Sequence, residues 1–453
     1  MTTHAAAILA AGKGTRMRSQ TPKILHRVCG MEMVSLVIDT ARATNLSPVA
    51  VVVPRDSRLI RETLGDQVIY VEQSKPLGSG HALLQARTAL RDADNVVVLY
   101  GDMPLIRPET ITEMVRLHDD REACVTLLTS TLARPDDFGR VLRSPSGSIT
   151  GIVEVSEADE STLAIAEVNC GVYCFRAAWL WDNLANLPPS PRGEIFLTDL
   201  VARAVQQGMP VESVLSNDAS EAIGINNRVQ LAEAEAVLRR RIRERWMLNG
   251  VTMPDPASVY IEAAADLGED TIVLPNTHII GRSRIGANCE IGPNSIVEDS
   301  TIGNGCKIIA SFIEGSKLGE SVDVGPFSHI RPGTHLESDV HIGNFAEVKN
   351  SYLGPGTKSG HFSYIGDAHL GANVNIGAGT VTCNFDGEGK NQTTIGDDAF
   401  IGSDTMLIAP VDIGARASTG AGSVVTRDVP PDMVAVGMPA RTLPKKKKQT
   451  EKD

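Results

Sequence analysis

Apolar and polar positions follow two different rhythms along the 453-residue chain. In the first half, short apolar runs predict buried strands, and the stretches between them have the 3.6-residue spacing of amphipathic helices. The predicted strands are Ala5–Ala10, Val49–Val53, Asn95–Tyr100 and Ala123–Leu128. The predicted helices are Val34–Ala43, Gly80–Leu90 and Pro108–Leu117. This alternation of strands and helices indicates an α/β domain with a mostly parallel, Rossmann-like sheet.

The second rhythm begins near Ile280, where an aliphatic residue followed by glycine recurs at spacings that are mostly six or multiples of six, as in Ile285, Ile291 and Ile395. Glycine is concentrated there, with 26 of the 41 glycines in residues 251–453. A six-residue period is typical of a parallel β-helix, in which each hexapeptide forms one short strand and one corner. We therefore predict an all-β, left-handed parallel β-helix of triangular coils, each made of three hexapeptides.

Between the two halves, Asn227–Asn249 has a helical stripe of apolar residues and a basic opposite side that includes Arg239–Arg241. Asn226 or Asn227 suits the N-cap, and Asn249-Gly250 suits the stop. We expect a single linking helix with its arginines in solvent. The predicted organisation is an α/β domain in residues 1–226, a linker helix in 227–250 and a β-helix domain with a basic tail in 251–453.

Composition narrows the class of protein. The 43 Lys and Arg against 55 Asp and Glu give a net charge of −12, which disfavours nucleic acids and anionic membranes as partners. The absence of a long apolar run or a secretory leader predicts no membrane span and a cytoplasmic location. The seven scattered cysteines predict reduced thiols. Cys170 and Cys174 lie in a strand-like run, where core packing is favoured over zinc binding.

A glycine-rich loop follows the first strand and contains Gly12, Gly14 and Arg16. Exposed backbone N–H groups in such a turn can bind phosphates, and Arg16 and Lys23 can neutralise their charge. The loop lacks the Gly-Lys-Ser/Thr ending of a Walker A motif. It also lacks the third glycine of a dinucleotide fingerprint, because Met17 stands at that position.

With Pro22-Lys23 downstream, this loop resembles that of sugar-1-phosphate nucleotidyltransferases. Nearly the whole chain resembles the family of bacterial bifunctional N-acetylglucosamine-1-phosphate uridyltransferases and glucosamine-1-phosphate acetyltransferases. The further supporting blocks are Pro76–Ala82, Tyr100–Pro104, Phe138–Arg140, Gly151–Glu154, Asn169–Gly171 and Gly224–Arg228. The resemblance implies acetyl transfer from acetyl-coenzyme A to glucosamine-1-phosphate. Uridylyl transfer from UTP would then give UDP-N-acetylglucosamine, a cell-wall and lipopolysaccharide precursor.

For uridylyl transfer, the family implies Mg²⁺ held by Asp102 and Asn226, both hard oxygen donors. Arg16 and Lys23 are the implied catalytic residues, because they stabilise triphosphate charge. The residues implied to bind UTP or the UDP-sugar are Leu9, Ala10, Gly12, Lys23, Gln73, Gly78, Ser79, Tyr100, Asp102, Gly139, Glu154, Asn169 and Asn226.

For acetyl transfer, the resemblance assigns His361 as the proton acceptor, a role that an imidazole fills near neutral pH. The implied sugar-phosphate ligands are Arg331, Lys349, Tyr364 and Asn375. The implied acetyl-coenzyme A ligands are Ala378, Asn384, Phe385, Ser403 and Ala421. Asn384 and Phe385 fall in Thr382–Gln392, a polar interruption of the repeat that predicts a binding loop. The family commonly has an arginine where this chain has Met438, and whether Arg441 replaces that contact stays open.

Three alternatives follow from the same residues. His329, His335 and His341 resemble a zinc set, but six-residue spacing puts them on successive faces of a coil, which disfavours a site within one chain. The main alternative function is a monofunctional nucleotidyltransferase whose β-helix only oligomerises. The third is a non-enzymatic scaffold or exchange-factor-like subunit with a degenerate nucleotide domain. Related hexapeptide domains usually form trimers, so a homotrimer is the expected assembly.

Overall fold

The computed structural model describes residues 2–135, 138–190 and 193–444. Its internal contacts divide the chain into two compact units, residues 1–238 and 239–453. The predicted domain borders at residues 226 and 250 stay predictions, and the basic tail Lys445–Lys448 lies outside the described residues.

The N-terminal unit is built on a twisted, mostly parallel sheet. The strands of the unit are β1 (His4–Leu9), β2 (Arg27–Val28), β3 (Met31–Glu32), β4 (Val49–Pro54), β5 (Ile69–Gln73), β6 (Asn95–Tyr100), β7 (Val125–Thr131), β8 (Arg140–Arg143), β9 (Ile149–Val153), β10 (Glu167–Arg176) and β11 (Val211–Leu215). The main order is β11-β7-β10-β6-β1-β4-β5, and β2 pairs separately with β3. Only β10 on this path runs antiparallel to its neighbours, and it also carries the β8–β9 hairpin. The Rossmann-like prediction is confirmed.

Helices cover this sheet and lead out of the unit. They are α1 (Met33–Ala43), α2 (Arg58–Leu64), α3 (Ser79–Gln85), α4 (Pro108–Asp120), α5 (Glu160–Leu163), α6 (Ala177–Leu184), α7 (Thr198–Gln206) and α8 (Arg228–Leu248). Short 3₁₀ turns occur at Thr15–Met17, Lys23–Leu25, Val155–Glu157, Ala219–Ala222 and Pro256–Ser258. Helix α3 ends at Gln85, short of the predicted Leu90, with turns in between.

Strand β1 shows why the sheet requires two apolar faces. Ala5, Ala7 and Leu9 belong to one buried cluster, whereas Ala6 and Ile8 belong to another on the opposite face. Side chains alternate across a strand, so a run that is apolar at every position is suited to a sheet covered on both sides. The carboxyl ends of these strands are left for loops, which is where ligands bind in open α/β folds.

The linking helix α8 begins and ends as its caps predict. The Asn227 side-chain oxygen accepts from the backbone N–H groups of Val229 and Gln230, both at 2.9 Å. At the other end Gly250 has a φ of 88°, the left-handed conformation of a helix stop. The basic side is less solvated than predicted, because Arg239 stacks over the Tyr260 ring at 4.2 Å.

The C-terminal unit is a parallel β-helix with three sheets, here called faces 1, 2 and 3. Face 1 contains Tyr260–Ile261, His278–Ile280, Ile296–Glu298, Phe312–Glu314, His329–Ile330, Ala346–Lys349, Ser363–Gly366, Val381–Cys383, Met406–Ile408 and Val424–Val425. Face 2 contains Asp266–Leu267, Arg284–Ile285, Thr301–Ile302, Lys317–Leu318, His335–Leu336, Tyr352–Leu353, Ala368–Leu370, Thr393–Ile395 and Val411–Ile413. Face 3 contains Ile272–Val273, Glu290–Ile291, Lys307–Ile308, Asp323–Val324, His341–Ile342, Lys358–Ser359, Asn375–Ile376, Phe400–Ile401, Ser418–Thr419, Met433–Gly437 and Ala440–Pro444. The hexapeptide prediction is confirmed, and the parallel coils are consistent with a left-handed β-helix.

The coil length varies more than a strict repeat of three hexapeptides predicts. The coil that leads from His278 to its partner Ile296 has the full predicted length, whereas the next, from Ile296 to Phe312, is shorter. Many later coils are intermediate, as between His341 and Lys358. Inward aliphatic residues such as Ile342 and Ile401 remain fully buried. Tighter corners therefore absorb the missing residues without moving the strands out of register.

The positions of two cysteines test the prediction that they pack in the core. Cys170 and Cys174 are buried in the core of the N-terminal unit, and burial raises the pKa of Cys170 to about 12. The core-packing interpretation of this pair is therefore supported. Within residues 2–135, 138–190 and 193–444, every helix is too short or too polar to cross a bilayer.

Candidate functional site

The glycine-rich loop after β1 opens a cavity of about 320 Å³ in the N-terminal unit. Its wall includes nine of the residues predicted to bind nucleotide: Leu9, Ala10, Gly12, Lys23, Gln73, Gly78, Ser79, Tyr100 and Asp102. Leu9, Gln73 and Tyr100 are each the last residue of a parallel strand. The shared carboxyl edge of the sheet therefore brings together residues from three separate parts of the sequence.

Two glycines are required by the geometry of this cavity. Gly78 has a φ of 96°, and a Cβ there would lie 2.5 Å from the Ile195 carbonyl oxygen. Gly14 has a φ of 60°, and a Cβ there would lie 2.6 Å from Cβ of Lys23. Glycine thus permits the left-handed backbone and the close approach of the loop to the Lys23 side chain.

Hydrogen bonds hold the far wall of the cavity. The Gln73 amide donates to the Gly78 carbonyl at 3.2 Å and contacts Nδ1 of His81 at 3.1 Å. The Ser79 hydroxyl accepts from the backbone N–H of Leu197 at 3.3 Å. These contacts fix the turn that begins α3, so its backbone forms a rigid wall.

A second, larger cavity of about 850 Å³ adjoins the first. Its predicted lining residues are Arg16, Tyr100, Asp102, Gly139, Glu154, Asn169 and Asn226. Tyr100 and Asp102 line both cavities, so the end of β6 lies where they meet. Two ligands, one in each cavity, would therefore approach each other near Asp102.

The proposed metal ligands converge on one point. Nζ of Lys23 donates to a carboxylate oxygen of Asp102 and, at 3.0 Å, to Oδ1 of Asn226. The two oxygens surround a cationic group already, and both are donors that Mg²⁺ prefers. In the described part of the chain, three or more His, Cys, Asp or Glu side chains nowhere cluster around a possible metal. Asp102 and Asn226, two hard oxygen donors on the wall of the second cavity, would suit an ion such as Mg²⁺.

The second cavity is lined by polar groups that are partly or fully buried. Burial raises the pKa of Glu154, and its carboxylate accepts from the Thr198 hydroxyl at 3.2 Å. Burial also raises the pKa of Tyr100 to about 12, so its hydroxyl keeps its proton at neutral pH. The Asn169 amide donates to Tyr173 at 2.6 Å. These groups are suited to hydrogen bonds with the hydroxyl groups of a ligand.

Two charged residues that line the first cavity are missing from the sequence prediction. Lys13 lines the first cavity between the two loop glycines, and its place within the motif was a signal for it. Glu194 lines the same cavity from a segment between α6 and α7. That segment has no pattern of its own, and it is held there by hydrogen bonds of the Ile195 backbone with Leu77 and Gly80 and of Leu197 with Ser79.

In the β-helix, four predicted residues lie at one corner on successive coils. This corner, here called corner 3/1, is the turn from face 3 to face 1. Backbone hydrogen bonds join successive coils at this corner. The N–H of Gly379 donates to the Phe362 carbonyl at 2.7 Å, that of Asp404 to the Ala378 carbonyl at 2.6 Å, and that of Gly422 to the Ser403 carbonyl at 2.8 Å. His361, Ala378, Ser403 and Ala421 therefore form a column along the edge of the helix. His361 is exposed and makes no hydrogen bond among the described residues.

The predicted sugar-phosphate residues do not all share one face. Arg331, Lys349 and Tyr364 belong to successive coils of face 1, and Nη1 of Arg331 donates to Glu347 at 2.6 Å. Asn375 lies on face 3, next to Lys358. Because corner 3/1 separates those faces, one chain does not bring Asn375 to the other three residues. Their common role stays a prediction.

The interruption near residue 384 is a compact hairpin at the turn from face 1 to face 2, here called corner 1/2. Phe385 and Lys390 pair in antiparallel fashion, with Nζ of Lys390 5.0 Å from the ring centroid. The Asp386 carboxylate accepts from backbone N–H groups of Gly389 and Glu388, which lowers its pKa to about 2. The loop thus has its own internal bonds and extends the edge of face 1.

The histidine triplet is dispersed, as its spacing predicts. The histidines occupy faces 1, 2 and 3, and each pairs with a different carboxylate: His329 with Glu314 at 3.0 Å, His335 with Glu337 at 3.3 Å and His341 with Asp323 at 3.5 Å. These contacts give each imidazole a separate structural role.

Whether Arg441 replaces the arginine that the family has at Met438 stays open. Met438 is 78% exposed in the turn between the last two strands of face 3, and Arg441 pairs with Val436 in the same hairpin.

Two family models match separate parts of the chain. Residues 6–187 match the MobA-like NTP transferase domain. Residues 264–299 and 392–427 match the bacterial transferase hexapeptide (six repeats). The crystal structure of UDP-glucose pyrophosphorylase complexed with UDP-glucose covers 53% of this chain and 100% of its own, with 17% identity and a TM-score of 0.44.

Curated relatives extend the match over nearly the full length. The bifunctional protein GlmU of Heliobacterium modesticaldum is 45% identical over 95% of this chain and 94% of the relative. That of Halalkalibacterium halodurans is 42% identical over 98% of both chains. That of Clostridioides difficile is 41% identical over 95% of this chain and 94% of the relative. Two transferase activities in one enzyme, for synthesis of UDP-N-acetylglucosamine, are therefore supported, and the monofunctional alternative is not favoured. The chain belongs to the GlmU family of bifunctional proteins.

Proposed function

We propose that the chain makes UDP-N-acetylglucosamine in two consecutive transfers, with the residues of the two sites in the roles given below. The observation that carries the proposal is the convergence of Lys23, Asp102 and Asn226 where the two cavities meet. No short stretch of sequence contains all three, and their meeting point is where a triphosphate and a sugar phosphate would come together. The column at corner 3/1 supports the other transfer independently.

In the first transfer, the amine nitrogen of glucosamine-1-phosphate attacks the thioester carbonyl carbon of acetyl-coenzyme A. His361 takes a proton from the amine, and the carbon–sulfur bond breaks to release the coenzyme thiolate, which regains a proton. An exposed imidazole without a hydrogen bond among the described residues is suited to this task. Arg331, Lys349 and Tyr364 bind the sugar phosphate from face 1.

The coenzyme lies along corner 3/1 in this proposal. Ala378, Ser403 and Ala421 are small residues, so a long ligand can approach the backbone of that edge. Asn384 and Phe385 contact it from the hairpin. Phe385 is 57% exposed, which leaves its ring available for stacking on a planar ligand group.

In the second transfer, a phosphate oxygen of N-acetylglucosamine-1-phosphate attacks the α-phosphorus of UTP. The bond from the α-phosphorus to the bridging oxygen breaks, and pyrophosphate leaves. The attacking phosphate is already ionised, so the chain contributes positioning and charge neutralisation rather than a base. Arg16 and Lys23 supply positive charge, and Gly139, Glu154 and Asn169 hold the acetylated sugar.

Asp102 and Asn226 would hold the Mg²⁺ that this family implies. When bound, the ion supplies positive charge to the phosphate oxygens. In the chain alone, the Lys23 ammonium keeps the two oxygens together, and Ile225 N–H donates to the Asp102 carbonyl at 2.9 Å. This second bond ties the segment that carries Asn226 to the end of β6.

We also propose a homotrimer that works in the cytoplasm, where UTP and acetyl-coenzyme A are made. The separation of Asn375 from Arg331, Lys349 and Tyr364 supports an acetyl-transfer site shared between chains. Phe327, Phe345 and Phe362 are each at least 56% exposed along corner 3/1, which supports contact with another copy.

The test supplies UTP, Mg²⁺, acetyl-coenzyme A and glucosamine-1-phosphate to the full chain and identifies products by mass. We expect His361→Ala to reduce acetyl transfer by about 10³-fold and to leave uridylyl transfer intact. His369→Ala, at an exposed position on face 2, is the matched control. Uridylyl transfer without any acetyl transfer by the unmodified chain would instead support the monofunctional alternative.

A further inference from the structure

The network around Asp367 links the hairpin to face 1. Asp367 lies at corner 1/2 with a φ of 48°. One oxygen of its carboxylate accepts from the Asn350 amide at 2.6 Å, and the other accepts from the Asn384 amide. The Asn384 amide nitrogen also lies 3.3 Å from the Tyr364 hydroxyl. Sequence reasoning singled out Asn384 and Tyr364 but not Asp367.

A carboxylate decides which way the Asn384 amide points. An ionised carboxylate only accepts hydrogen bonds, so the NH₂ group of Asn384 has to face Asp367. The amide carbonyl Oδ1 then points away from Asp367 and makes no hydrogen bond among the described residues. Because Asn384 is only 5% exposed, its side chain has little freedom to turn. Oδ1 is therefore presented as an acceptor of fixed direction.

The same arrangement sets the role of Tyr364. The NH₂ group of Asn384 donates to the Tyr364 hydroxyl oxygen, so the phenolic proton is left to be given to another acceptor. A sugar phosphate on face 1 offers such acceptors. One carboxylate thereby orients an amide acceptor and, through it, a hydroxyl donor.

We propose that Asp367 is a positioning residue for acetyl transfer: it fixes the Asn384 amide so that its carbonyl oxygen accepts from an N–H group of a bound substrate. This inference rests on the proposed acetyltransferase function. Two N–H groups fit, the amine of the sugar phosphate and an amide of the pantetheine arm of acetyl-coenzyme A. Their shared chemistry is an N–H donor, and kinetics distinguish the two sources.

The test is Asp367→Asn in the full chain. The new amide can present its NH₂ group to residue 384, which favours the flipped Asn384 amide with its own NH₂ group toward the substrate. We expect kcat/KM for acetyl transfer to fall roughly tenfold, about the effect of one lost hydrogen bond to a ligand. The increase in KM is confined to glucosamine-1-phosphate if the amine is the donor, or to acetyl-coenzyme A if pantetheine is.

A swapped pair separates orientation from general damage. In Asp367→Asn with Asn384→Asp, the amide at 367 donates to the carboxylate at 384, and that carboxylate has a second oxygen left to accept from the substrate. We expect the swap to recover part of the lost kcat/KM. The matched control is Asp398→Asn, another left-handed corner aspartate, which accepts from Asn373 at 3.3 Å on a different edge. It should leave both KM values unchanged.

Uridylyl transfer in the same preparation is the internal standard. The inference is overturned if Asp367→Asn leaves both KM values unchanged, or if both the swap and Asp398→Asn lose as much acetyl transfer as Asp367→Asn does. An unmodified chain with no acetyl transfer would instead refute the proposed function, and that result is read before any variant is compared.

Discussion

The candidate sites of the two units are built in different ways. In the N-terminal unit, the wall of each cavity comes from loops at one edge of a sheet, and residues far apart in sequence meet inside one chain. In the β-helix, each coil repeats the last, so a site is a column of equivalent positions on an edge. The first arrangement forms cavities, whereas the second offers an open edge, with Asn375 on a different face from Tyr364 within one chain. Irregular loops can thus surround a cavity, whereas a regular repeat needs an insertion or another chain to do so.

The largest expected effect tests whether the enclosed site works independently of the open one. Asp102→Ala removes a carboxylate at the junction of the two cavities and leaves Lys23 without its anionic partner. We expect uridylyl transfer to fall by about 10³-fold, because charge stabilisation at this point is lost. Acetyl transfer by the same protein should stay within twofold or so of the unmodified chain. A parallel loss of both activities would contradict the separation of the sites.

A core cavity in the β-helix tests how locally the repeat responds. Ile342 is fully buried one coil below Ser359, and Ile342→Ala should cost about 3 kcal/mol of stability. Since each coil contacts only its neighbours, damage should concentrate near His361 and reduce acetyl transfer.

Ile291→Ala, three coils earlier on face 3, is the control. It should cost a similar free energy of unfolding, measured by denaturant titration, with acetyl transfer preserved. Equal loss of acetyl transfer in both variants would show that the solenoid responds as one body.

A smaller effect is expected at the glycine that closes the nucleotide cavity. Gly78→Ala forces a side chain into a left-handed backbone and against the Ile195 carbonyl, at a cost of about 2 kcal/mol. The KM for UTP should also rise in Gly78→Ala, because the wall of the cavity is displaced. Gly65 also has a positive φ, but no atom lies within 4 Å of its ideal Cβ. Gly65→Ala should therefore lower stability less and leave the KM unchanged, which separates backbone strain from the clash.

The smallest effect concerns Glu154 and pH. Burial raises its pKa in the folded chain, so the folded state holds the proton more tightly than the unfolded state does. The stability contribution of this group therefore falls as pH rises from the ordinary glutamate range through the raised pKa. Glu154→Gln should make unfolding slightly harder at pH 7, and the difference should vanish below about pH 4. A difference that grows toward acid pH would contradict the sign.

The sequence predicted residues that the structure brings together in each candidate site, for different reasons. The glycine-rich loop could be recognised because its residues are contiguous and each has a local role, such as the left-handed backbone of Gly14. Of the β-helix residues, His361, Ala378, Ser403 and Ala421 share an edge because each holds the same position after a strand of face 3. Asp367 was harder to find, since its partner Asn384 is 17 residues away and lies at the start of an insertion. The insertion interrupts the hexapeptide period there, so the period does not show that Asn384 stacks on Asp367.

By itself, the sequence determined the two classes of fold, the inward aliphatic positions and the linking helix with its caps, because each depends on local periodicity and backbone preference. Tertiary structure decided the rest. It brought Lys23 to Asn226, 203 residues away, and placed Asn375 on a different face from Tyr364. It also shortened several coils, such as the one from Ile296 to Phe312, without loss of register. These outcomes depend on close packing between distant segments, and packing of that kind leaves no local pattern in the chain.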